Sequence, residues 1–287
     1  MPTIQDYNSV NLPTWCPGCG NFSIWASVKT ALVELGYGPK DINLCFDIGC
    51  NGNGADKINA YGLKGLHGRT LPSASGIYLA NHNLPIIGMA GDGATFDEGI
   101  NHLIQTVRSN YKFVFILHNN CDFGLTTGQA TPTTPEGQKM NGAPFGVVEK
   151  RLNPVQLVLT LGATFVARGF TGNIKQMTAI LKAALNHDGF AYVEILQHCP
   201  TYNKFQDHLF LASRVYDITT DSQFDNTKEF AYKAVDYSNE KIATGILFQD
   251  KGSVSYYKKL SYRKDYKTTL KDEVKVYDIS PSLGAFS

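Results

Sequence analysis

Apolar segments of strand length alternate with helical segments from residue 20 to about residue 200, and this alternation restricts the fold more than any other feature. The apolar segments are 42–48, 85–90, 112–118, 164–168 and 191–196. The helical segments between them include 23–35, 97–108 and 174–186. Strands that are apolar throughout are buried on both faces, so we predict an α/β fold: an open, mostly parallel sheet with helices on both faces. Binding sites in such folds lie at the carboxyl ends of the strands.

The pattern changes after about residue 200, where aromatic and polar residues follow one another with weak periodicity. A helix at 227–236, a strand at 243–248 and a tail rich in Lys and Tyr are predicted there. We therefore expect a main domain over 1–200 and a C-terminal extension over 201–287. The extension is expected to pack on the core or on a partner subunit.

Charge and hydropathy give no support for a nucleic-acid or membrane partner. The formal net charge is +1, which gives no reason to expect binding to nucleic acid or to an anionic membrane surface. No apolar run has the length of a membrane span, and the N-terminal residues lack the basic and apolar regions of a secretory signal. We therefore expect a cytoplasmic protein that does not associate with membranes.

The segment WCPGCGN places Cys16 and Cys19 three positions apart in a Pro-Gly turn. Such a pair is half of a metal site, a redox dithiol or a disulfide. A cytoplasmic location disfavours the disulfide. The six cysteines are also too few and too scattered for a secreted disulfide scaffold. The metal and redox alternatives stay open at this point.

Two short polar motifs follow neighbouring predicted strands. Gly91-Asp92-Gly93 ends one strand, and Asn119-Asn120 ends the next. Glycines allow a close approach of the backbone to a diphosphate, and a helix N-terminus receives its negative charge. A carboxylate and an amide oxygen are suitable ligands for the divalent ion that accompanies a diphosphate. One helix and one strand separate Asp92 from Asn120, so both residues are expected at the same edge of the sheet.

This spacing resembles the thiamine diphosphate motif, and further segments resemble the beta subunit of the 2-oxoacid:ferredoxin oxidoreductases. The resemblance covers about residues 12 to 205, and the match looks closer to the 2-oxoglutarate or broad 2-oxoacid enzymes than to pyruvate-specific ones. The matching segments occur in the family's order: WCPGCGN, IGC, GLHGRTLP, GDG, NN, GLTTGQATPTTPEG and EILQHC. The resemblance implies the thiamine diphosphate-binding fold, with residues 1–200 carrying both cofactors.

The resemblance also implies three sets of site residues. The ligands of one 4Fe–4S cluster would be Cys16, Cys19, Cys50 and Cys199. The ligands of Mg²⁺ would be Asp92, Asn120 and the backbone carbonyl of Asp122, whose side chain is expected to point to solvent. The residues expected to bind thiamine diphosphate are Ile48, Gly49, Cys50, Asn51, His67, Gly91, Asp92, Gly93, Asn120, Leu125 and Thr126. A structural zinc site would need the same four cysteines and stays open as a competitor.

The function implied by the resemblance is the coenzyme A-dependent oxidative decarboxylation of a 2-oxoacid, 2-oxoglutarate or pyruvate, to an acyl-CoA and CO₂. Electrons would pass through the cluster to ferredoxin. No catalytic residue is assigned to this chain, since the family's catalytic glutamate comes from the alpha subunit. The expected assembly is αβ or (αβ)₂. The alternatives are an oxidoreductase for branched-chain or aryl 2-oxoacids, a non-oxidative thiamine decarboxylase, and a zinc-stapled subunit without catalysis.

Overall fold

The computed structural model describes residues 1–261, 268–273 and 278–284. The strands are β1 (Asn43–Phe46), β2 (Tyr61–Lys64), β3 (Ile86–Gly91), β4 (Val114–Asn119), β5 (Phe165–Phe170), β6 (Ala191–Leu196), β7 (Val215–Asp217) and β8 (Ile242–Gln249). The helices are α1 (Asn21–Glu34), α2 (Thr70–Ala80), α3 (Asp92–Phe96), α4 (Ile100–Ser109), α5 (Pro154–Thr160), α6 (Ile174–Asn186), α7 (His208–Ala212), α8 (Lys228–Ala234), α9 (Tyr256–Lys259), α10 (Leu270–Glu273) and α11 (Ser280–Leu283). None of the helices in these ranges has both the length and the apolar character needed to span a bilayer.

The strands form one eight-stranded sheet in the order β2-β1-β3-β4-β6-β5-β8-β7. Neighbouring strands are parallel except for β5 and β8, which are antiparallel. In the central pair Val114 of β4 lies opposite Ala191 of β6, and in the next pair Ile87 of β3 lies opposite Val114. The predicted open, mostly parallel sheet is therefore confirmed.

Both faces of the sheet are covered, because the side chains of each central strand alternate between two apolar cores. In β4, which is buried throughout, Phe115 and Leu117 belong to one core, while Val114 and Ile116 belong to the other. Helices α2, α4 and α5 contribute to the first core. Helices α1 and α6 contribute to the second. This layering confirms the prediction of helices on both faces.

The C-terminal segment adds two strands to this sheet. β8 pairs with β5 along the edge that the first two hundred residues leave open, and β7 pairs with β8. The division into 1–200 and 201–287 stays a prediction, and residues 262–267, 274–277 and 285–287 of the predicted extension lie outside the described residues.

Several elements had no sequence signal. All residues of β2 are exposed at the sheet edge, so β2 lacks the apolar run that marked the other strands. The helix predicted at 97–108 begins at Ile100, and the shorter α3 precedes it. Helices α3 and α7 each have five residues, which is too short for a helical period to show. Strand pairing and tertiary packing stabilise β2, α3 and α7, and these contacts exist only in the folded chain.

Candidate active site

The candidate site lies where four neighbouring strands end. β1, β3, β4 and β6 are adjacent and parallel, so the loops after them meet at one edge of the sheet. The loops contain residues 47–51, 120–126 and 197–199, and the end of β3 with the start of α3 adds residues 91–93. In the loop after β1, Gly49 has a φ of 112°, a backbone conformation that favours glycine.

The loops enclose a cavity of about 520 Å³ including its open mouth, which we call the loop cavity. Every residue that the resemblance implicates in thiamine diphosphate binding lines this cavity: Ile48, Gly49, Cys50, Asn51, His67, Gly91, Asp92, Gly93, Asn120, Leu125 and Thr126. Its lining also contains residues that the sequence analysis did not assign: Asp47, Ala94, His118, Phe123, Gly124 and Gln197. The structure thus brings the predicted residues together. It also adds three polar side chains, those of Asp47, His118 and Gln197.

Asp92 is buried at the start of α3, and its two carboxylate oxygens have different surroundings. Oδ2 accepts hydrogen bonds from the hydroxyls of Thr131 at 2.6 Å and Thr133 at 2.5 Å. Oδ1 is buried and has no hydrogen-bond partner among the described residues. Burial raises the pKa of Asp92 to about 6, against the lowering effect of the two hydroxyls. A buried carboxylate oxygen without a partner fits a divalent cation.

The expectation that the Asp122 side chain points to solvent is wrong. Cys121 has a φ of 56°, and the loop after it places Asp122 in the interior. Asp122 Oδ1 accepts a hydrogen bond from Asn120 Nδ2 at 3.1 Å, whereas Oδ2 has no partner among the described residues. Burial raises the pKa of Asp122 to about 7, and the Asp92 carboxylate adds to this rise. The loop cavity therefore contains a second partnerless carboxylate oxygen.

Two further titratable side chains lie buried in the loop cavity. Burial raises the pKa of Asp47 to about 8, although its Oδ2 accepts a hydrogen bond from the Gly91 N–H at 3.0 Å. Burial lowers the pKa of His118 to about 3, so its ring is neutral. Nδ1 of His118 lies 2.9 Å from the Asn21 side-chain oxygen and must donate to it, which leaves Nε2 as an acceptor. Both residues lie in apolar segments of the sequence, so only their buried positions in the folded chain identify them as site residues.

His67 lies at the mouth of the loop cavity and is about one-third exposed. Its Nδ1 is 3.6 Å from Glu98 Oε1, which is too long for a hydrogen bond. The ring packs edge-on against Phe123, with 6.4 Å between the ring centroids. The structure therefore places His67 in the lining of the cavity, with its ring partly accessible to a ligand.

The four cysteines that the resemblance selects line a second cavity of about 710 Å³, which we call the thiol cavity. Cys16 and Cys19 are joined by a backbone hydrogen bond of 3.0 Å across the Pro-Gly turn. The Trp15 indole donates to the Cys50 carbonyl at 2.7 Å, which ties this turn to the loop after β1. The Tyr202 N–H donates to the Cys199 sulfur at 3.5 Å. Three separate segments of the chain thus contribute the four cysteines to the lining of one cavity.

Burial favours the protonated form of two thiols in this cavity. Burial raises the pKa of Cys19 to about 11 and that of Cys50 to about 12, and neighbouring thiols add to both shifts. A metal that binds them must therefore displace protons. Within the ranges described, no three Asp, Glu, His or Cys side chains are grouped closely enough to hold a single ion. Cys16, Cys19, Cys50 and Cys199 share the lining of one cavity.

Two segments that are distant along the chain hold the loop after β4 in place. The Asn203 side chain donates to the Asn120 carbonyl at 2.7 Å, and Asn203 is itself 1% exposed. Arg151 donates to the Thr133 carbonyl at 2.6 Å and to the Cys121 sulfur at 3.3 Å. These contacts were invisible in the sequence because they join residues that are distant along the chain.

A buried polar chain also runs from the sheet to Asp92. Arg168 and Glu194 lie opposite each other on β5 and β6 and form an ion pair of 2.5 Å. The Asn119 side chain donates to Glu194 at 2.7 Å, and its oxygen lies 2.9 Å from the Thr133 hydroxyl that contacts Asp92. The Thr133 hydroxyl has a single proton, so it donates to Asp92 or to the Asn119 oxygen at any one time. The residues inside the sheet therefore fix the position of this hydroxyl beside Asp92.

The fold and the loop cavity define the class of protein. Residues 47–195 match the family described as "Thiamine pyrophosphate enzyme, C-terminal TPP binding domain". Residues 199–277 match the family that describes the C-terminal part of the pyruvate ferredoxin oxidoreductase beta chain. The chain is thus a thiamine diphosphate-binding protein.

Individual relatives narrow this class. The chain is 40% identical over 213 residues to the beta subunit of the 2-oxoacid:ferredoxin oxidoreductase of Saccharolobus solfataricus, covering 74% of this chain and 70% of that one. It is 36% identical over 258 residues to the corresponding beta subunit from a Sulfolobus species, with 84% and 83% of the two chains covered. A solved structure of the 2-oxoglutarate:ferredoxin oxidoreductase from Magnetococcus marinus, with 2-oxoglutarate, coenzyme A and succinyl-CoA bound, superimposes with a TM-score of 0.89 at 30% identity, covering 100% of this chain and 96% of that one. This chain belongs to the beta subunits of the 2-oxoacid:ferredoxin oxidoreductases, and the predicted family is confirmed.

Proposed function

We propose that this chain, together with an alpha subunit, oxidatively decarboxylates a 2-oxoacid. The 2-oxoacid and coenzyme A give an acyl-CoA, CO₂, one proton and two electrons, and the electrons leave through a 4Fe–4S cluster to ferredoxin. One observation carries this proposal: the loop cavity and the thiol cavity share a wall. The residues common to both linings are Cys50, Asn120, Gly124, Leu125 and Gln197. A site for decarboxylation thus adjoins a site for electron transfer.

In the loop cavity the residues fit a diphosphate with its cation. The partnerless Oδ1 of Asp92, the Asn120 side chain and the Asp122 carbonyl would hold Mg²⁺. Bound thiamine diphosphate would supply the carbon nucleophile and electron sink for decarboxylation. The chain's own part is to position that group and to exclude water, with Phe123 and Leu125 forming apolar walls.

In the thiol cavity the residues fit a four-iron cluster better than a single zinc ion. Each thiolate of a 4Fe–4S cluster binds a different iron, so its four ligands stand apart around a volume. A zinc ion needs four ligands directed at one point. Cys16, Cys19, Cys50 and Cys199 line a common volume and do not form a single-ion group among the described residues. Because such thiols persist in a reducing compartment, we place the enzyme in the cytoplasm.

The need for an alpha subunit is supported by what the loop cavity contains. Its described lining has three aspartates and no glutamate, and all three aspartates are buried against β-strand ends. Apolar side chains are exposed nearby, with Leu66 next to His67 at 74% and Leu125 at 55%. Exposed apolar residues at the mouth of a site are typical of a surface that a partner covers.

The test is to purify the chain with its alpha partner under anaerobic conditions and to measure iron, thiamine and turnover. We expect about four irons per chain, and ferredoxin reduction that requires both 2-oxoglutarate and coenzyme A. Cys199→Ser should lose iron and turnover. The matched control Cys45→Ser should keep both, because Cys45 lies in β1 and lines neither cavity. Colourless protein that contains zinc, or aldehyde formation without ferredoxin reduction, would refute the proposal.

A further inference from the structure

Gln197 has a polar side chain in the wall between the loop cavity and the thiol cavity, and neither the magnesium site nor the cysteine ligand set includes it. It directly follows β6, and its N–H donates to the Asn119 carbonyl at 2.9 Å. Its side chain is 3% exposed and lines both the loop cavity and the thiol cavity. A buried amide in this position needs hydrogen-bond partners on both sides.

The Gln197 amide faces a different side chain on each side of the wall. Nε2 lies 3.8 Å from the sulfur of Cys19. Since a metal-bound thiolate only accepts hydrogen bonds, the nitrogen and not the oxygen must face it. Oε1 is buried, and the Gln197 side chain also interacts with the side chain of His118. Both residues belong to the lining of the loop cavity.

The end of β6 is fixed against the Cys16–Cys19 turn, so this contact is not incidental. The His198 ring nitrogen Nε2 lies 2.5 Å from the Gly18 carbonyl. A Cβ atom at Gly20 would lie 2.6 Å from Cγ of Gln197, so a glycine at this position permits the approach of the two segments. The amide of Gln197 is therefore held beside Cys19 by its surroundings.

We infer that Gln197 is a positioning residue that sets the reduction potential of the cluster through its hydrogen bond to Cys19. An N–H dipole directed at a ligand sulfur stabilises the more negative, reduced cluster and so raises its potential. This inference rests on the proposed function, because it requires the cluster to be present.

The experiment measures the midpoint potential of the cluster by redox titration, followed by electron paramagnetic resonance, on the αβ assembly. Gln197→Met removes the donor with little change in size, and we expect the potential to become more negative while the iron content is unchanged. Gln156→Met is the matched control. The Gln156 amide bonds to the Tyr232 carbonyl and Asp236, and Gln156 lines neither cavity, so the potential should stay at the wild-type value.

Gln197→Glu provides a second measurement if the methionine variant does not assemble a cluster. It keeps the side-chain shape and replaces the donor group by an oxygen, so its potential should also fall below that of the wild type. An unchanged potential in the variant that holds iron would overturn the inference. That result differs from a failure of the proposed function, in which the wild-type assembly itself would contain no cluster.

Discussion

Asp47→Asn tests the electrostatics of the loop cavity through its effect on stability. Asp47 is fully buried, its Oδ2 accepts from the Gly91 N–H, and its Oδ1 has no partner among the described residues. Burial, with a contribution from the nearby Asp92 charge, raises its pKa from 3.8 to about 8. At neutral pH the side chain is therefore an uncharged acid. Asparagine has the same shape and reproduces that uncharged form.

The size of the effect follows from linkage. Between about pH 4 and pH 8 the folded chain retains a proton on Asp47 that the unfolded chain has lost, so stability decreases as the pH rises through this window. Each pH unit is worth about 1.4 kcal/mol. From pH 5 to pH 8 the free energy of unfolding of the wild type should therefore decrease by about 4 kcal/mol more than that of Asp47→Asn.

The assay is urea unfolding of the cofactor-free chain at several pH values, followed by circular dichroism. The free energy of unfolding of Asp47→Asn, relative to that of the wild type, should rise steadily with pH. Asp56→Asn is the control, because Asp56 is solvent-exposed and its pKa is lowered by its hydrogen bond to Lys57. A difference between Asp47→Asn and the wild type that stays constant from pH 5 to pH 8 would refute the reasoning.

Two further substitutions test the loop cavity directly. Thr133→Val removes one of the two hydroxyls that hold Asp92, so Mg²⁺ affinity, measured by calorimetry with thiamine diphosphate present, should fall about 10- to 100-fold. Thr133→Ser should keep most of that affinity, and equal affinities for the two variants would contradict the role of the hydroxyl. Gly93→Ala would place a methyl carbon 2.3 Å from two carbons of the Phe123 ring. The ring must then move, and since both residues line the loop cavity, thiamine diphosphate binding should weaken. Gly76→Ala, with no atom within 4 Å of the added carbon, should leave binding unchanged.

The sequence predicted the central strands well because their signal is local. β6 and α6 have the predicted bounds, since each combines a continuous apolar face with clear ends. The exposed edge strand β2 has no such signal, because its position depends on β1 beside it. The position of β8 next to β5 likewise depends on pairing between distant segments.

The fold class, the family and the residues in recognisable motifs could be predicted from the sequence. These motifs are the paired cysteines, the Gly91-Asp92-Gly93 turn and the Asn pair after β4. These features are local, so their spacing along the chain is sufficient to find them. Which other polar residues complete the site depends on how the chain folds. Asp47, His118 and Gln197 acquire their roles from burial and from neighbours more than 20 positions away. A pKa or a hydrogen bond depends on distance in space, and the order of the strands in the sheet sets that distance.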